Sequence, residues 1–193
     1  HLIGPLLAAL LVFYFNINYL FFFISLTFIY SMILTNLISV KETDNQNTKK
    51  IDRKFLMGGI DYIKSNSKLF IILLLTIINN IIIMGPAMIG ITVYVKEILN
   101  DNFITIALIE SALGLGMIFG SILTWYLSKY YSIYKILFFG IIFDGITFCP
   151  FYWINSSIFT TIMMFIHGIG IPIITISRTI IIQKIVPNKM QGR

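Results

Sequence analysis

Long apolar runs separated by short polar stretches constrain this chain more than any other feature. Tyr19–Val40, Leu69–Val95, Ile104–Leu127 and Ile158–Ile182 are each long enough to cross a bilayer as a helix. Such a helix rises ~1.5 Å per residue, so about 20 apolar residues span the ~30 Å hydrocarbon layer. A fifth run, Ile136–Trp153, is near the minimum length and is bounded by Lys135 and by Asn155-Ser156-Ser157. The opening run, Leu2–Phe15, is too short to cross alone and reads as the second half of a span. The chain is therefore expected to be a fragment carrying five spans and one partial span. Strands usually end after about 3–10 residues, so runs of this length predict helices. The expected fold class is all-α, a polytopic bundle of transmembrane helices whose backbone groups are satisfied within each helix.

Composition agrees with this reading. Charged residues make up 11% of the 193 and hydrophobic residues 58%, against about 25% charged in a water-soluble domain. Lone Cys149 lies in an apolar run, so neither a disulfide framework nor a metal-ligand cluster is expected. The formal net charge of +6 raises the question of nucleic acid, which the positions of the charges answer. Lys41, Lys49, Lys50, Arg53, Lys54, Lys64 and Lys68 fall in the connection before Leu69. The next connection holds Lys96 against Glu97 and Asp101, the one after it Lys129 and Lys135 with no acid. Ile154–Ser157 carries no charge, and the tail has Lys184, Lys189 and Arg193. Basic and non-basic connections alternate, as a chain crossing back and forth requires under the positive-inside rule. This places the long loop, the Ser128–Lys135 loop and the C-terminal end in the cytoplasm. The basic balance is topology, and nucleic acid is not an expected partner; the lipid bilayer is.

The long loop, Lys41–Ser67, is the one clear boundary. Its first part, Glu42–Thr48, is polar throughout. Its second part, Phe55–Lys64, sets Phe55, Ile60 and Ile63 among charges and predicts a short amphipathic helix at the inner membrane surface; a solvated linker helix is the plainer alternative.

Polar groups inside the spans each require an explanation, since ionisable side chains in hydrocarbon are costly. Asp144 lies near mid-membrane, His167 at a similar depth in the last span, and Asn79 and Asn80 near the middle of the Leu69 span. Glu110 is nearer the outer face, and Arg178 is near an inner end where its side chain can snorkel. Asp144, Glu110, His167, Asn79 and Asn80 are the candidate proton- or substrate-binding residues; a buried carboxylate or imidazole can be tuned towards neutral titration. The alternative is that they only hold neighbouring helices together by hydrogen bonds. Gly116 and Gly120, with Gly114 and Ser121 beside them, form a Gly-x-x-x-Gly face for close helix approach. Gly85-Pro86 and Gly168-x-Gly170-x-Pro172 are expected to interrupt or kink their spans.

Several chemistries have no motif here. The sequence has no phosphate-binding Gly-x-x-x-x-Gly-Lys-Ser/Thr, no His-Glu-x-x-His, no serine nucleophile elbow and no filter-like repeat. Neither an enzyme nor an ion channel is expected.

Gly4-Pro5-Leu6-Leu7-Ala8-Ala9 resembles the end of the antiporter motif of major facilitator superfamily drug exporters, with alanines in place of the two final glycines. Tyr94–Leu99, the stretch Glu110–Ser121 and the ending Arg178–Arg193 are similar to the macrolide-efflux-like branch. In that register residues 1–40 end the N-terminal half (part of span 5, then span 6), 41–67 join the halves, and 68–193 hold spans 7–10. Ser128-Lys129-Tyr130-Tyr131-Ser132 departs from the family, lacking the acid and paired arginines of its loop between spans eight and nine. The resemblance implies a bacterial plasma-membrane transporter, monomeric when intact, exporting a small amphipathic drug such as a macrolide. It implies no cofactor or metal, with a proton gradient as the energy source, and gives Gly4 and Pro5 a helix-packing role. Export of a siderophore or other metabolite, a non-transporting membrane scaffold and a membrane-embedded enzyme are the competing readings. The fragment by itself is not expected to transport.

Overall fold

A computed structural model describes residues 7, 11, 12, 14, 15, 17–37, 53–187 and 190. Gly4, Pro5 and the polar part of the long loop lie outside the described residues. Among those described, the chain is helical with no strand, and the all-α transmembrane bundle expected above is what forms.

Helix α1 spans Ile17–Asn36, α2 Arg53–Ser65 and α3 Ser67–Ile78. Helical geometry then continues through a π-helical stretch Asn79–Met84, helix α4 Gly85–Val93 and a second π-helical stretch Tyr94–Ile98. Helices α5 Phe103–Leu127, α6 Ile133–Phe148 and α7 Ser157–Ile185 complete the order, with a 3-10 turn Cys149–Tyr152 extending α6. Among the described residues, Phe103–Leu127, Ile133–Tyr152 and Ser157–Ile185 are long and apolar enough to cross a membrane. Two shorter apolar helices lie at Phe21–Asn36 and Ser67–Ile81. The span expected over Leu69–Val95 is thus a continuous rod, but π-helical geometry replaces α geometry in two places along it. The expected interruptions are milder than a break: helical geometry passes through Gly85-Pro86, and α7 runs through Pro172.

The helix starts are built from short polar side chains. Asn66 caps α3 by accepting the Leu69 N–H at 3.1 Å, and Asn102 caps α5 by accepting the Ile104 N–H at 2.9 Å. Such caps satisfy donors that have no partner inside the helix. Asn100 turns the chain between the second π-helical stretch and α5 with a left-handed φ of 50°, a conformation asparagine tolerates better than most residues.

Packing centres on α7. Helices α5 and α6 lie chiefly against α7 rather than against each other. With no water to drive association in a bilayer, close van der Waals approach has to hold such helices together. Gly116 and Gly120 supply it on α5. A methyl group at Gly116 would fall on the Phe165 carbonyl oxygen and 3.0 Å from Gly168 Cα, and one at Gly120 would meet the Ile169 backbone. Gly114 is buried on the same helix. Opposite them, Gly168 sits against the Leu113 carbonyl and Gly116 Cα.

Aromatic side chains mark two levels of the bundle. Trp125, Tyr126, Tyr130, Tyr131 and Tyr134 are exposed around the α5–α6 turn, and Tyr152 and Trp153 before the α6–α7 turn. Amphipathic rings collect at the two membrane–water interfaces, so the turns mark opposite faces of the layer.

Helix α2 meets the bundle at a polar contact in which the Tyr62 hydroxyl donates to the Ile185 carbonyl at 2.9 Å. Ile185 is the last residue of α7, where carbonyls lack helical donors. Tyr62→Phe is expected to weaken this docking by about 1 kcal/mol, seen as faster amide hydrogen exchange in Arg53–Ser65 with the rest of the bundle unchanged.

Candidate functional site

Asp144 and His167 arrive at one point from different helices. Asp144 projects from the C-terminal third of α6 and His167 from α7, and Asp144 Oδ1 lies 3.2 Å from His167 Nδ1. Both residues are buried, at 7% and 6% exposure. Thr147, one turn along α6 from Asp144, joins them: its hydroxyl is 3.0 Å from the same Nδ1 and donates to the Asp144 carbonyl at 2.7 Å. That donation leaves the Thr147 oxygen to accept, so Nδ1 is the N–H donor of this arrangement.

Asp144 Oδ1, although within ion-pair distance, makes no aligned hydrogen bond. The His167 N–H therefore faces two acceptors, Thr147 Oγ1 and Asp144 Oδ1, and is committed to the first. A buried acceptor without a bond is unusual, and here it is a carboxylate oxygen with room for a proton beside an imidazole. Asp144, His167 and Thr147 thus form a buried polar triad that joins α6 to α7.

Close helix contact keeps the triad together. A methyl group at Gly170 would lie 3.1 Å from both Asp144 Oδ1 and Phe143 Cδ1, and one at Gly140 would lie 2.7 Å from Ile173 Cγ2. Thus α7 uses Gly168 to approach α5 and Gly170 to approach α6, on either side of the turn after His167. Gly170→Ala is expected to push the Asp144 carboxylate and slow transport several-fold while leaving membrane insertion intact, measured as initial transport rate per inserted protein.

Aromatic rings lead away from the triad. Phe148 stacks edge-on to the His167 ring at 4.3 Å between centroids, Phe151 follows Phe148 at 6.0 Å, and Tyr94 follows Phe151 at 6.1 Å. The Tyr94 hydroxyl donates to the Ile154 carbonyl in the α6–α7 turn. At the same end the Ser157 hydroxyl donates to Asp101 Oδ2 at 2.7 Å, and the Asn102 N–H to Asp101 Oδ1 at 2.8 Å. The Ser157 hydroxyl, then the Thr105 side chain and the Asn102 N–H, hold the Asp101 carboxyl below the usual carboxylate range. Because its folded value is the lower one, this contact is fully present at neutral pH and is lost only as pH falls through that value. Ser157→Ala is expected to raise the Asp101 midpoint towards the ordinary value, read from carboxyl-carbon NMR shifts.

The other candidates are not drawn into this cluster. Glu110 is half-buried on α5 with neither hydrogen bond nor ion pair to the triad. Asn79 and Asn80 open the first π-helical stretch, Asn79 half-buried and Asn80 exposed. Pro172 is buried in α7, one turn beyond Gly168. Arg178 is half-buried near the end of that helix. Thr147 was not singled out from the sequence, and Gly170 was expected only as part of a kink; both lie beside the pair, three residues after Asp144 and three after His167. Three further buried hydroxyls, Ser111 Oγ, Thr160 Oγ1 and Ser177 Oγ, lack hydrogen bonds. Among the described residues no His, Cys, Asp and Glu side chains gather in a group of three or more.

No curated protein and no solved structure matches the sequence. A profile of the Major Facilitator Superfamily, however, matches residues 2–193, nearly the whole chain. A bundle of membrane-length helices fits that match, and the chain belongs to the major facilitator superfamily.

Proposed function

We propose that this membrane transporter exports small amphipathic compounds in exchange for protons, with Asp144 and His167 as its proton-binding pair. The observation that carries the reading is the 3.2 Å approach of the two buried side chains from separate spans. An ionisable pair at that depth in a bilayer is expensive to keep unless it is used. Transporters of this family generally need no cofactor, so the driving force has to enter through titratable side chains of the chain itself.

The cycle follows from the geometry. When the triad faces the proton-rich side, a proton on Asp144 neutralises the site. When it faces the other side, the carboxylate is regenerated and the pair can balance a cationic or amphipathic substrate. His167, its Nδ1–H held by Thr147, stabilises the ionised carboxylate without having to move. In this reading residues 41–67 are a cytoplasmic connection between two halves, residues 1–40 end one half and 68–193 begin the other. Glu110, Asn79 and Asn80 then belong to the substrate path rather than the proton site. The plasma membrane of a bacterium is the setting, with the protein working as a monomer.

The test uses the full-length transporter in cells loaded with a fluorescent lipophilic cation or a labelled macrolide. Efflux that collapses when a protonophore dissipates the gradient is the expected result. Efflux unaffected by the protonophore would remove proton coupling. No efflux across a broad panel would instead favour a metabolite such as a siderophore as cargo.

A further inference from the structure

An apolar crevice runs from beside the Asp144–His167 pair, at Phe143, towards the α5–α6 turn. Because α5 and α6 both pack on α7 rather than on each other, they diverge and leave a cavity of ≈ 510 Å³ between them. Its walls are apolar, with Leu123 on α5 and Phe139 and Phe143 on α6, and its floor is Ile169 and Ile173 of α7. One charged side chain lines it, Lys135 at the start of α6, and Tyr131 in the adjoining turn lines the same end.

Three features fix what fits this shape. The lining runs along α6 from Lys135 to Phe143, which at ~1.5 Å per residue is about 12 Å and close to the ~15 Å depth of one leaflet. The basic end is at an interface: exposed Trp125, Tyr126, Tyr130 and Tyr134 surround it at the level where amphipathic rings sit. Finally, the charge at that end is uncommitted. Lys129, the other cation of the turn, stands over the Trp125 ring at 3.5 Å, whereas among the described residues no carboxylate pairs with Lys135. A long apolar slot of leaflet depth with a free ammonium and a phenol at its interfacial mouth has the chemistry of an acyl chain below a phosphate.

We infer that the α5–α6 crevice is a binding site for an anionic phospholipid, one acyl chain lying on Ile169 and Ile173 and its phosphate held at Lys135 and Tyr131. The inference does not depend on the proton-coupled cycle. It does place the lipid in the cytoplasmic leaflet if the orientation proposed above holds, the leaflet where anionic headgroups and basic turns attract one another.

The experiment uses the full-length transporter in detergent, where leaflet and transport play no part. Native mass spectrometry would compare retention of phosphatidylglycerol and phosphatidylcholine, and a phosphatidylglycerol carrying a diazirine on one chain would be crosslinked and mapped. Preferential retention of phosphatidylglycerol is expected, with crosslinks in residues 133–143. Lys135→Gln should lower that retention about fivefold and leave phosphatidylcholine unchanged. Leu123→Trp, at a partly exposed position, should fill the slot and abolish the crosslink in a protein that still elutes as a single folded species. Equal retention of the two lipids, or indifference to Lys135→Gln, would overturn the site. So would crosslinks absent from 133–143, the result expected if another helix of the full chain covers the crevice.

Discussion

Replacing Asp144 with asparagine is expected to abolish gradient-driven efflux, by at least about a hundredfold, while the protein still folds and inserts. Asparagine keeps the volume and a carbonyl oxygen facing His167 Nδ1, and the Thr147 bonds, to the residue-144 backbone carbonyl and to His167, do not involve the altered side chain. What it cannot do is take up a proton. A general requirement for bulk polarity at this depth would leave the variant active; a requirement for a titrating carboxylate would leave it dead. Counterflow exchange of labelled against unlabelled substrate, which needs no net proton movement, separates the two: it should persist in Asp144→Asn while uphill efflux disappears. His167→Gln should be milder, lowering the rate and shifting its pH dependence, because in the proposed arrangement the imidazole tunes the carboxylate rather than carrying the proton across. Loss of both exchange and efflux in Asp144→Asn would mean that the residue holds the bundle together and nothing more.

The largest effect on stability is expected at Gly116. A leucine there has no room, because even its Cβ would fall on the Phe165 carbonyl and within 3.0 Å of Gly168 Cα. Backbone cannot rotate aside as a side chain can, so α5 and α7 must separate along their length. Overpacking of this kind costs about 3 kcal/mol or more, and the packing lost includes Ile109 and Met164 in the buried cluster with Val95. Gly116→Ala should show the same sign with smaller size. Gly90 is the control: a methyl group at that position meets nothing within 4 Å, so Gly90→Ala should be neutral or stabilising by up to about 1 kcal/mol. Thermal unfolding of the detergent-solubilised protein, followed by the fraction eluting as a folded monomer, ranks the three. A Gly116→Leu protein as stable as the parent would show that α5 and α7 do not meet through this face.

The different fates of these features in the sequence have a physical cause. A bilayer tests every residue of a span against hydrocarbon, so apolar run length is written openly, and Ile104–Leu127 and Ile158–Ile182 match α5 and α7 to within a few residues. Gly116 and Gly120 were legible for a related reason, since four-residue spacing places two small residues on one face. The meeting of Asp144 with His167 was not legible. They are on different helices, and whether two such side chains meet depends on how far each helix is rotated, which one sequence does not state. Glu110, an ionisable group in a neighbouring span, was a candidate alongside them, yet it makes no bond with the pair. Gly170 illustrates the same limit, because its meaning lies in the carboxylate opposite. The π-helical stretches were hidden more thoroughly, since apolar residues such as Ile81 and Ile83 serve α and π geometry alike.

Those π-helical stretches have a mechanical consequence. Each accommodates backbone beyond the α register, and one residue corresponds to about 100° of rotation. Such an insertion resembles a dislocation in a crystal: it shifts along the rod by exchanging neighbouring hydrogen bonds, without the rod coming apart. The two flank Gly85–Val93 on either side. Asn66 fastens the start of the rod before the first stretch, and Tyr94, which opens the second, is tied to Ile154. The nine residues Gly85–Val93 are therefore the segment whose facing is set by both stretches together, so a one-residue deletion within either should re-aim them by about 100°.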